Sequence, residues 1–557
     1  MTEVVFRPSV TICPECNALL RAYRTDRSTV KTVDCTFTAV HKLMICREHE
    51  TVFGSELLRS IVAPGCIYAN DVMLESSRMR FIDGRSSSEI VSDLGNGISG
   101  SHVRLLSNAA LDIFGQIHEE SYPVLRAAMK SYVLHIDGTT DGEFEMILVV
   151  RDSVSGFTLY AEKCHSESLD SVKEVLLKVK ERFGTPAGAV SDMRAGILKA
   201  LGEVFPGMPV RICLFHFLRD LGRDLMRDMH TDLALAINRI GVKSPLKSIL
   251  RAIPDYSQST LYEIEQGYCS EREGMEIMAV RGVLDALLNT GGSSGYGFPF
   301  SLRHLSFYMA CMETERRLAA LSAKFTGKES TALLNSVMDE IRRITGNTGI
   351  NRIAAMLSDV NMLFSKLRVA FRMPEKGSLS DDLTDDDAIH ARCDIVTGEM
   401  EVYLSTNIPR HMFTAAKHII ASYRARETML FANNADHTIP RTNNMMEQFF
   451  RKVTRSITKR CGNIASGNIL AQSGASLALF RNMSNEQYVK IVFGEQDIPA
   501  VFAKHRKPFR KPGMTKTRIQ KLVSKGTEMI IAGELYDTPY HGKLMDTAYA
   551  SRNTIVY

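Results

Sequence analysis

The sequence predicts an α/β protein in which a mixed β-sheet is combined with a large helical region. Two observations predict this class. Three short β-rich apolar runs joined by tight turns occupy residues 132–162, and helices and strands then alternate up to residue 213. After that, apolar residues recur at helical spacing through most of residues 214–370 and 408–433.

The composition is that of an ordinary globular protein. The 557 residues are 45% hydrophobic and 24% charged, which allows two to four domains with a large core. No apolar run reaches the ~18 residues that a membrane span needs. The first residues, MTEVVFRPSV, lack a basic-then-apolar signal architecture. We therefore expect a cytoplasmic protein with no membrane partner.

Charge is distributed unevenly, although the formal net charge is only +5. Lys and Arg are dense in residues 504–525, whereas residues 381–387 are an acidic run that we expect to be an exposed loop. A basic segment can neutralise nucleic-acid phosphates, and a solvated basic tail is the alternative. The 11 cysteines are odd in number and scattered, unlike the disulfide framework of a small secreted protein.

Two short chelating pairs lie near the N-terminus, separated by a strand-like stretch. Their members are Cys13 and Cys16, then Cys46 and His49. Brought together by a hairpin, two such pairs give a tetrahedral sulfur and nitrogen site suited to Zn²⁺. Four protein ligands leave no open coordination position, so this zinc is predicted to be structural. Cys35 and His41 are possible substitute ligands, and free cysteines with chance spacing are the alternative.

Residues 86–114 have the pattern of two helices joined by a glycine turn. The first helix would bury Ile90, Val91 and Leu94, and the second Val103, Leu106 and Ala110. This is the pattern of a helix-turn-helix, whose second helix enters the major groove of DNA. The residues expected on its exposed face are Ser101, His102, Arg104 and Ser107. Plain helical packing is the alternative.

The order of elements after residue 130 predicts a specific sheet. The runs YVLHID, EFEMILVV and GFTLYAE would form an antiparallel meander because tight turns join them. A helix over residues 168–183, a strand ending at Asp192, a helix over 194–204 and a strand over 209–213 follow. This order is the ribonuclease-H-like layout, in which the first and fourth strands lie side by side.

Asp137 and Asp192 each follow a predicted strand, so the layout makes them neighbours at one sheet edge. Oxygen ligands from separate elements are what hard cations such as Mg²⁺ require. Two such ions can hold the attacking and leaving oxygens of a displacement at phosphorus. An Asp at a strand end is also often a turn or cap residue.

Glu447 is a third acid, one turn inside a helix predicted to be capped by Asn444. It lies near the edge of an apolar stripe from which it could reach the two Asp residues. The stripe consists of Met446, Phe449, Phe450, Val453 and Ile457. The exposed side, which would face DNA, is predicted to carry Arg451, Lys452, Arg455, Lys459 and Arg460. A solvated capping carboxylate is the alternative for Glu447.

These motifs together resemble DDE transposases of bacterial and archaeal insertion sequences, especially the Mutator-like group with an N-terminal zinc ribbon. The matching motifs, in order, are the two zinc pairs, HIDGT around Asp137, SDM around Asp192, Cys213-Leu-Phe-His216, and Thr442-Asn443-Asn444 leading into Glu447. An all-helical insertion before the last catalytic helix is typical of this family, which agrees with the long separation between Asp192 and Glu447.

The resemblance implies an enzyme that cleaves and joins DNA strands at the ends of its own mobile element. Asp137, Asp192 and Glu447 would hold two Mg²⁺ or Mn²⁺ ions. The residues expected to support this site are Cys213, His216, Asn443 and Asn444. The implied partners are double-stranded DNA, as terminal repeats and as target, and further copies of the chain in a homodimer or larger synaptic assembly.

The expected domain organisation follows from these assignments. It consists of a zinc ribbon (1–70), a helix-turn-helix region (71–128), the first part of the catalytic core (129–230), a mainly helical insertion (231–435), the last catalytic helix region (436–485) and a basic C-terminal region (486–557). Two other functions are compatible with the sequence: a non-catalytic DNA-binding protein descended from a transposase, and a general ribonuclease-H-like nuclease that cuts DNA without joining it.

Overall fold

The computed structural model describes residues 2–139, 146–166, 168–268, 270–290, 296–373, 386–433, 439–462 and 467–506, with residues 520, 523–525 and 527–528. The chain divides into two compact units. The first unit comprises residues 1–76, 91–113 and 496–557, and the second comprises residues 77–90 and 114–495. Most of the basic segment 504–525 and residues 381–385 of the acidic run lie outside the described residues.

The described strands are β1 (Glu3–Phe6), β2 (Arg21–Lys31), β3 (Thr36–Cys46), β4 (Thr51–Phe53), β5 (Val133–Thr139), β6 (Met146–Asp152), β7 (Thr158–Cys164), β8 (Gly188–Ser191) and β9 (Val210–Ile212). The helices up to the end of the sheet region are α1 (Glu56–Ile61), α2 (Asn70–Phe81), α3 (Ser87–Leu94), α4 (Gly100–Glu120), α5 (Tyr122–Met129), α6 (Leu169–Phe183) and α7 (Ala195–Val204).

The later helices are α8 (Leu214–Ile240), α9 (Lys243–Ala252), α10 (Gln258–Gln266), α11 (Arg272–Leu288), α12 (Arg303–Ser322), α13 (Lys328–Thr345), α14 (Thr348–Ala370), α15 (Asp386–Leu404), α16 (Arg410–Arg424), α17 (Glu427–Leu430), α18 (Asn444–Cys461), α19 (Gly467–Phe480), α20 (Glu486–Phe493) and α21 (Ile498–His505). A 3-10 helix over Arg481–Ser484 joins α19 to α20.

The first unit is built on a four-stranded sheet with β3 at its centre. β1 pairs with β3 in parallel, while β2 and β4 pair with it antiparallel. One of its apolar clusters contains Phe6, Val30, Ala39, Leu58, Val62 and Ala69, and a smaller one contains Cys13, Leu20 and Cys46. Because the second cluster is so small, a metal would help to hold the segment around it.

The second unit contains a five-stranded mixed sheet in the order β7-β6-β5-β8-β9. β5, β6 and β7 form an antiparallel meander, and β8 and β9 continue the sheet in parallel with β5. Residues 133–136 of β5 are all buried, as expected for a central strand covered on both faces. The predicted pairing of the first strand with the fourth is confirmed.

Helices occupy the long stretch that follows β9. α8 begins directly after Cys213 and runs without interruption to Ile240, so the boundary drawn at residue 230 falls inside it. α14 packs along α8, and a single large apolar core joins α8 to the helices up to α17. The helical periodicity predicted for residues 214–370 and 408–433 is confirmed.

The acidic run over residues 381–387, expected to be an exposed loop, is helical over its described part, although Asp387 is exposed. Asp386 and Asp387 form the first turn of α15, which buries Ile389, Cys393 and Met400. Acidic residues are favoured in the first turn of a helix because they face its positive end. The last two residues of the acidic run therefore form the first turn of a helix.

The structure thus confirms the α/β class, with two mixed sheets and a large helical part. Among the described residues, no helix combines the length and apolarity that crossing a membrane requires.

Candidate functional site

Four ligand-type side chains of the first unit meet at one point, namely Cys13, Cys16, Cys46 and His49. The sulfurs of Cys16 and Cys46 are 3.5 Å apart, and His49 Nδ1 lies 3.7 Å from the Cys13 sulfur and 3.9 Å from that of Cys46. Zn–S bonds of ~2.3 Å in a tetrahedron separate two sulfurs by ~3.8 Å. The group therefore has the dimensions of a zinc site and could bind a metal of this kind.

Local backbone geometry brings the two pairs together. Asn17 and Glu50 adopt positive φ angles of 58° and 52°, so the chain turns directly after each pair. The N–H of Cys16 faces the sulfur of Cys13 and, with His49, lowers the pKa of that thiol to about 6. Cys13 therefore favours the thiolate form that metals bind, whereas, despite a hydrogen bond from the N–H of Ala18, burial and the neighbouring cysteines raise the pKa of Cys16.

The two substitute ligands suggested by the sequence lie outside this group. Cys35 is exposed, and its sulfur accepts a hydrogen bond from the hydroxyl of Thr32. His41 accepts a hydrogen bond from the backbone N–H of Ser55 through Nε2, at 2.8 Å. His41 is therefore engaged elsewhere.

The helix pair predicted over residues 86–114 is present as α3 and α4. Ser99 caps α4, since its hydroxyl accepts from the N–H of His102 at 3.3 Å. Ser101, His102 and Arg104 are exposed on α4 as expected. The prediction for Ser107 is wrong: it is fully buried and donates to the carbonyl of Val103. The buried residues of the pair include Ile90, Leu94, Val103, Leu106 and Ala110.

Asp137 and Asp192 lie at the same edge of the second sheet. In the parallel register of β5 and β8, His135 pairs with Val190. Asp137 and Asp192 each stand two residues beyond that pair, so both are at the carboxyl ends of adjacent strands. The sequence placed them as neighbours, and the strand register agrees with this.

Glu447 lies in the first turn of α18, which packs on β5. Burial raises the pKa of Asp137 to about 7, and the negative charges of Asp192 and Glu447 contribute to the increase. Burial also raises the pKa values of Asp192 and Glu447. Asp137 is thus the acid whose proton affinity the other two raise, whereas Arg219 opposes the increase at both Asp192 and Glu447.

The acids do not form a closed site for a single ion. Within the described ranges, three or more ligand atoms lie within 4.8 Å of one another only in the Cys/His group and in a second group of His390, Asp394 and Glu427. In that second group the cation of Arg424 contacts Asp394 at 2.8 Å and Glu427 at 3.0 Å, so it is an ion-pair network.

Asn443 connects α18, the helix that carries Glu447, directly to Asp137. Its Nδ2 donates to Asp137 Oδ2 at 3.2 Å, and its Oδ1 lies 2.9 Å from Nδ1 of the buried His135. Burial lowers the pKa of His135 to about 4, so the ring is neutral and donates from Nδ1. The chain His135–Asn443–Asp137 fixes Oδ2 of the carboxylate, and the backbone N–H of Gly138 donates to Oδ1 at 2.9 Å.

The N-cap of α18 lies one residue earlier than predicted. Asn443, not Asn444, occupies the N-cap, and α18 begins at Asn444, which is half-buried. The side chain of Asn443 makes no capping hydrogen bond because its amide is used by His135 and Asp137. Local helix signals could not distinguish between two consecutive Asn residues.

Cys213 and His216 lie directly beneath the acids. The Cys213 sulfur accepts from the N–H of Asn443 at 3.2 Å, and burial raises the pKa of its thiol to about 11. His216 Nε2 is 3.6 Å from Glu447 Oε1, and burial lowers the pKa of His216 to about 4. The imidazole is therefore neutral, and the contact with Glu447 is polar instead of an ion pair. Both residues hold the start of α18 in place.

The cationic side of α18 agrees with the prediction except at one residue. Arg451, Lys452, Arg455 and Lys459 are exposed. Arg460 is buried, with its guanidinium 5.1 Å from the centre of the Phe81 ring, so its predicted exposure is wrong. A cation–π contact of this type lets a long side chain cover apolar surface.

The sequence reasoning missed several residues at the acidic edge. Arg194 contacts Asp192 through its side chain at 3.0 Å. Arg219 and Asp220, one turn beyond His216 on α8, act electrostatically on Asp192. Arg219 and Asp220 could have been found from the sequence, because they follow His216 by three and four positions and so lie on the same side of the helix.

Comparison with known proteins assigns no family. The chain matches no protein-family model, and no curated protein shows significant similarity to it.

Proposed function

We propose that the chain is a DNA transposase of the DDE type, which cleaves and joins DNA strands with the help of divalent metal ions. The observation that carries the proposal is the meeting of Asp137, Asp192 and Glu447 at one edge of the second sheet. The register of β5 and β8 aligns the two Asp residues, and Asn443 ties the helix of Glu447 to Asp137.

The sheet supports a ribonuclease-H-like core. An antiparallel meander whose first strand pairs in parallel with a fourth, and that fourth with a fifth, is the layout expected for such a core. The helices between β9 and α18 would form the insertion that separates the second Asp from the Glu. The first unit, with its Cys/His group, would be the zinc ribbon.

The acidic edge suits hard cations because it offers buried carboxylate oxygens from three separate elements. Asp137, Asp192 and Glu447 would hold two Mg²⁺ or Mn²⁺ ions. When bound, these would activate a water or a DNA 3′-hydroxyl and stabilise the leaving oxygen. The protein's contribution is to position the acids: Asn443 orients Asp137, and the N–H of Arg194 donates to Asp192 at 3.2 Å.

The DNA partner is proposed from two exposed surfaces. Ser101, His102 and Arg104 on α4 would read the terminal repeats of the element, as the second helix of a helix-turn-helix does. Arg451 and Arg455 on α18 would contact the phosphates near the acids. Cleavage of two element ends would require further copies of the chain in a synaptic assembly.

A nicking and joining assay tests the proposal. We expect the wild-type chain to nick supercoiled plasmid in Mn²⁺ and to join duplex ends taken from the DNA flanking its gene. Asp192→Asn should lower both rates at least 100-fold, because it removes a charged ligand. The matched control is Asp232→Asn, an exposed residue of α8. Full activity of Asp192→Asn would overturn the enzyme assignment.

The same assay separates the two other functions. Nicking without joining of any duplex end would identify a general nuclease. Binding of the flanking DNA without nicking in Mn²⁺ or Mg²⁺ would identify a DNA-binding protein that has lost or never had the reaction.

A further inference from the structure

A cavity of about 590 Å³ in the second unit lies beside α18. Met445, Gln448, Phe449 and Lys452 of that helix line one wall. These positions recur at spacings of three and four, so they form a single helix face. At 100° per residue, Glu447 lies about 150° around the helix from the centre of that face, so it projects towards the other side of α18. The link between the cavity and the acidic edge is Arg151, which lines the cavity and pairs across β5 and β6 with His135, the partner of Asn443 beside Asp137.

The charges lining the cavity are mainly positive. Arg151 of β6, Arg481 of the 3-10 helix and Lys452 contribute cations, and Glu486 is the carboxylate in the lining. Arg151 is held over the ring of Phe449, with 4.4 Å between its guanidinium and the ring centre. Burial and the charge of Arg481 lower the pKa of Arg151 to about 10. The cations therefore repel one another in a partly desolvated space.

Two buried donors in the lining have no hydrogen-bond partner within the described part of the chain. They are Nε of Arg151 and the hydroxyl of Thr158. Thr158 is 1% exposed, and a buried hydroxyl without a partner is destabilising. Buried donors beside a group of cations are the arrangement that an anion would satisfy.

We propose that this cavity binds a phosphate group, supplied by a DNA strand that passes α18 on its way to the acids. The proposal rests on the proposed function for the source of the phosphate, since a small phosphorylated molecule has the same chemistry. Arg151 and Arg481 would pair with its oxygens, and Lys452 would close the solvent side. The guanidinium groups suit this task because they offer several fixed donors to an oxyanion.

The first experiment measures the unfolding midpoint of the full chain in sodium phosphate and in sodium chloride of equal ionic strength. We expect phosphate to raise the midpoint of the wild type in a saturable way. Arg481→Gln and Lys452→Glu should lose this increase. Lys490→Glu should keep it, because Lys490 is an exposed cation of α20, a helix that also borders the cavity, but does not itself line it. No increase in the wild type, or an equal increase in all four proteins, overturns the phosphate site.

The second experiment identifies the source by measuring affinity for duplex DNA as a function of salt. Each phosphate contact contributes about 0.9 to the slope of log K against log salt. Arg481→Gln should therefore lower the slope by about 0.9. If wild type binds DNA and this slope does not change, DNA is not the ligand of the cavity. If wild type binds no DNA but keeps the phosphate effect, the proposed function fails while a site for a small phosphorylated molecule stands.

Discussion

Asn443 holds Asp137 with the same amide group that binds a buried histidine. The two hydrogen bonds leave its orientation no freedom, because Oδ1 faces His135 and Nδ2 faces Asp137. The amide therefore always presents a donor to the carboxylate. The result is an acid that is fixed in position before any metal is bound, which lowers the reorganisation needed on binding.

Asp137 is expected to destabilise the metal-free protein at neutral and alkaline pH. Its pKa is raised from 3.8 to about 7 in the folded state, so the folded protein binds more protons than the unfolded one between these values. Stability is therefore lost as the pH rises through this window. Fully ionised, the group costs on the order of 4 kcal/mol.

Replacing Asp137 by Asn should reverse this effect. In buffer without Mg²⁺ or Mn²⁺, we expect Asp137→Asn to unfold at a higher temperature than wild type at pH 8, with a difference that shrinks towards zero at pH 4. Calorimetry over this pH range measures the difference. The exposed Asp232→Asn variant is the control and should show no such trend. A constant difference at all pH values would contradict the assigned pKa.

At the scale of elements, Asp386 joins β9 to the segment that precedes α18. The buried guanidinium of Arg211 on β9 contacts it at 2.7 Å, and that of Arg441 contacts it at the same distance. Arg211 also donates to the carbonyls of Leu430 and Ile439. Although burial opposes it, the two arginines hold the pKa of Asp386 below its usual value. The carboxylate of Asp386 thus connects α15 to β9 and to the segment that leads into α18.

Removing this carboxylate should destabilise the second unit. Asp386→Asn leaves two buried guanidinium groups without their counter-charge, which typically costs about 3–5 kcal/mol. We expect the urea midpoint, followed by circular dichroism, to fall accordingly. Its neighbour Asp387 is exposed in the same helical turn, so Asp387→Asn should change stability by less than about 0.5 kcal/mol. Equal effects of the two changes would show that Asp386 is not a structural anchor.

The sheet could be predicted from the sequence because strand periodicity and turn residues are local signals. That was enough to place Asp137 beside Asp192. The role of Asp386 could not be predicted, since an acidic run has the composition of a solvated loop and its partners Arg211 and Arg441 are remote in sequence. The same holds for His135 and Asn443, which are separated by 308 positions.

The spacing of apolar residues predicted the positions of the helices more reliably than the exposure of individual side chains on them. Ser107 and Arg460 were both placed on exposed faces and are buried. Ser107 satisfies its hydroxyl within its own helix, by donating to Val103. Arg460 stacks on Phe81. A hydroxyl that bonds within its own helix can therefore be buried where polarity predicts exposure. Arg460 differs, because within the described residues its Nε and Nη1 have no hydrogen-bond partner and the ring contact covers apolar surface.

At the scale of the whole molecule, the two units differ in what holds them together. The second unit has an extensive apolar core that joins most of its helices. In the first unit, the segment around the metal ligands has only the small cluster of Cys13, Leu20 and Cys46, although other parts of the unit bury Val72, Val103 and Phe502. We infer that the metal site replaces an apolar core in that segment, whereas the second unit is held by apolar burial.

This difference predicts that loss of zinc affects the units separately. Cys46→Ser removes one ligand of four, and we expect the purified variant to contain no zinc where the wild type contains one ion per chain. In calorimetry, the transition of the first unit should be abolished or fall to low temperature, while that of the second unit stays unchanged. Cys35→Ser, an exposed cysteine outside the metal group, is the matched control. Plasmid nicking in Mn²⁺ should persist in Cys46→Ser, because the acids belong to the second unit. A shift of both transitions by the same amount would show that the units do not unfold independently.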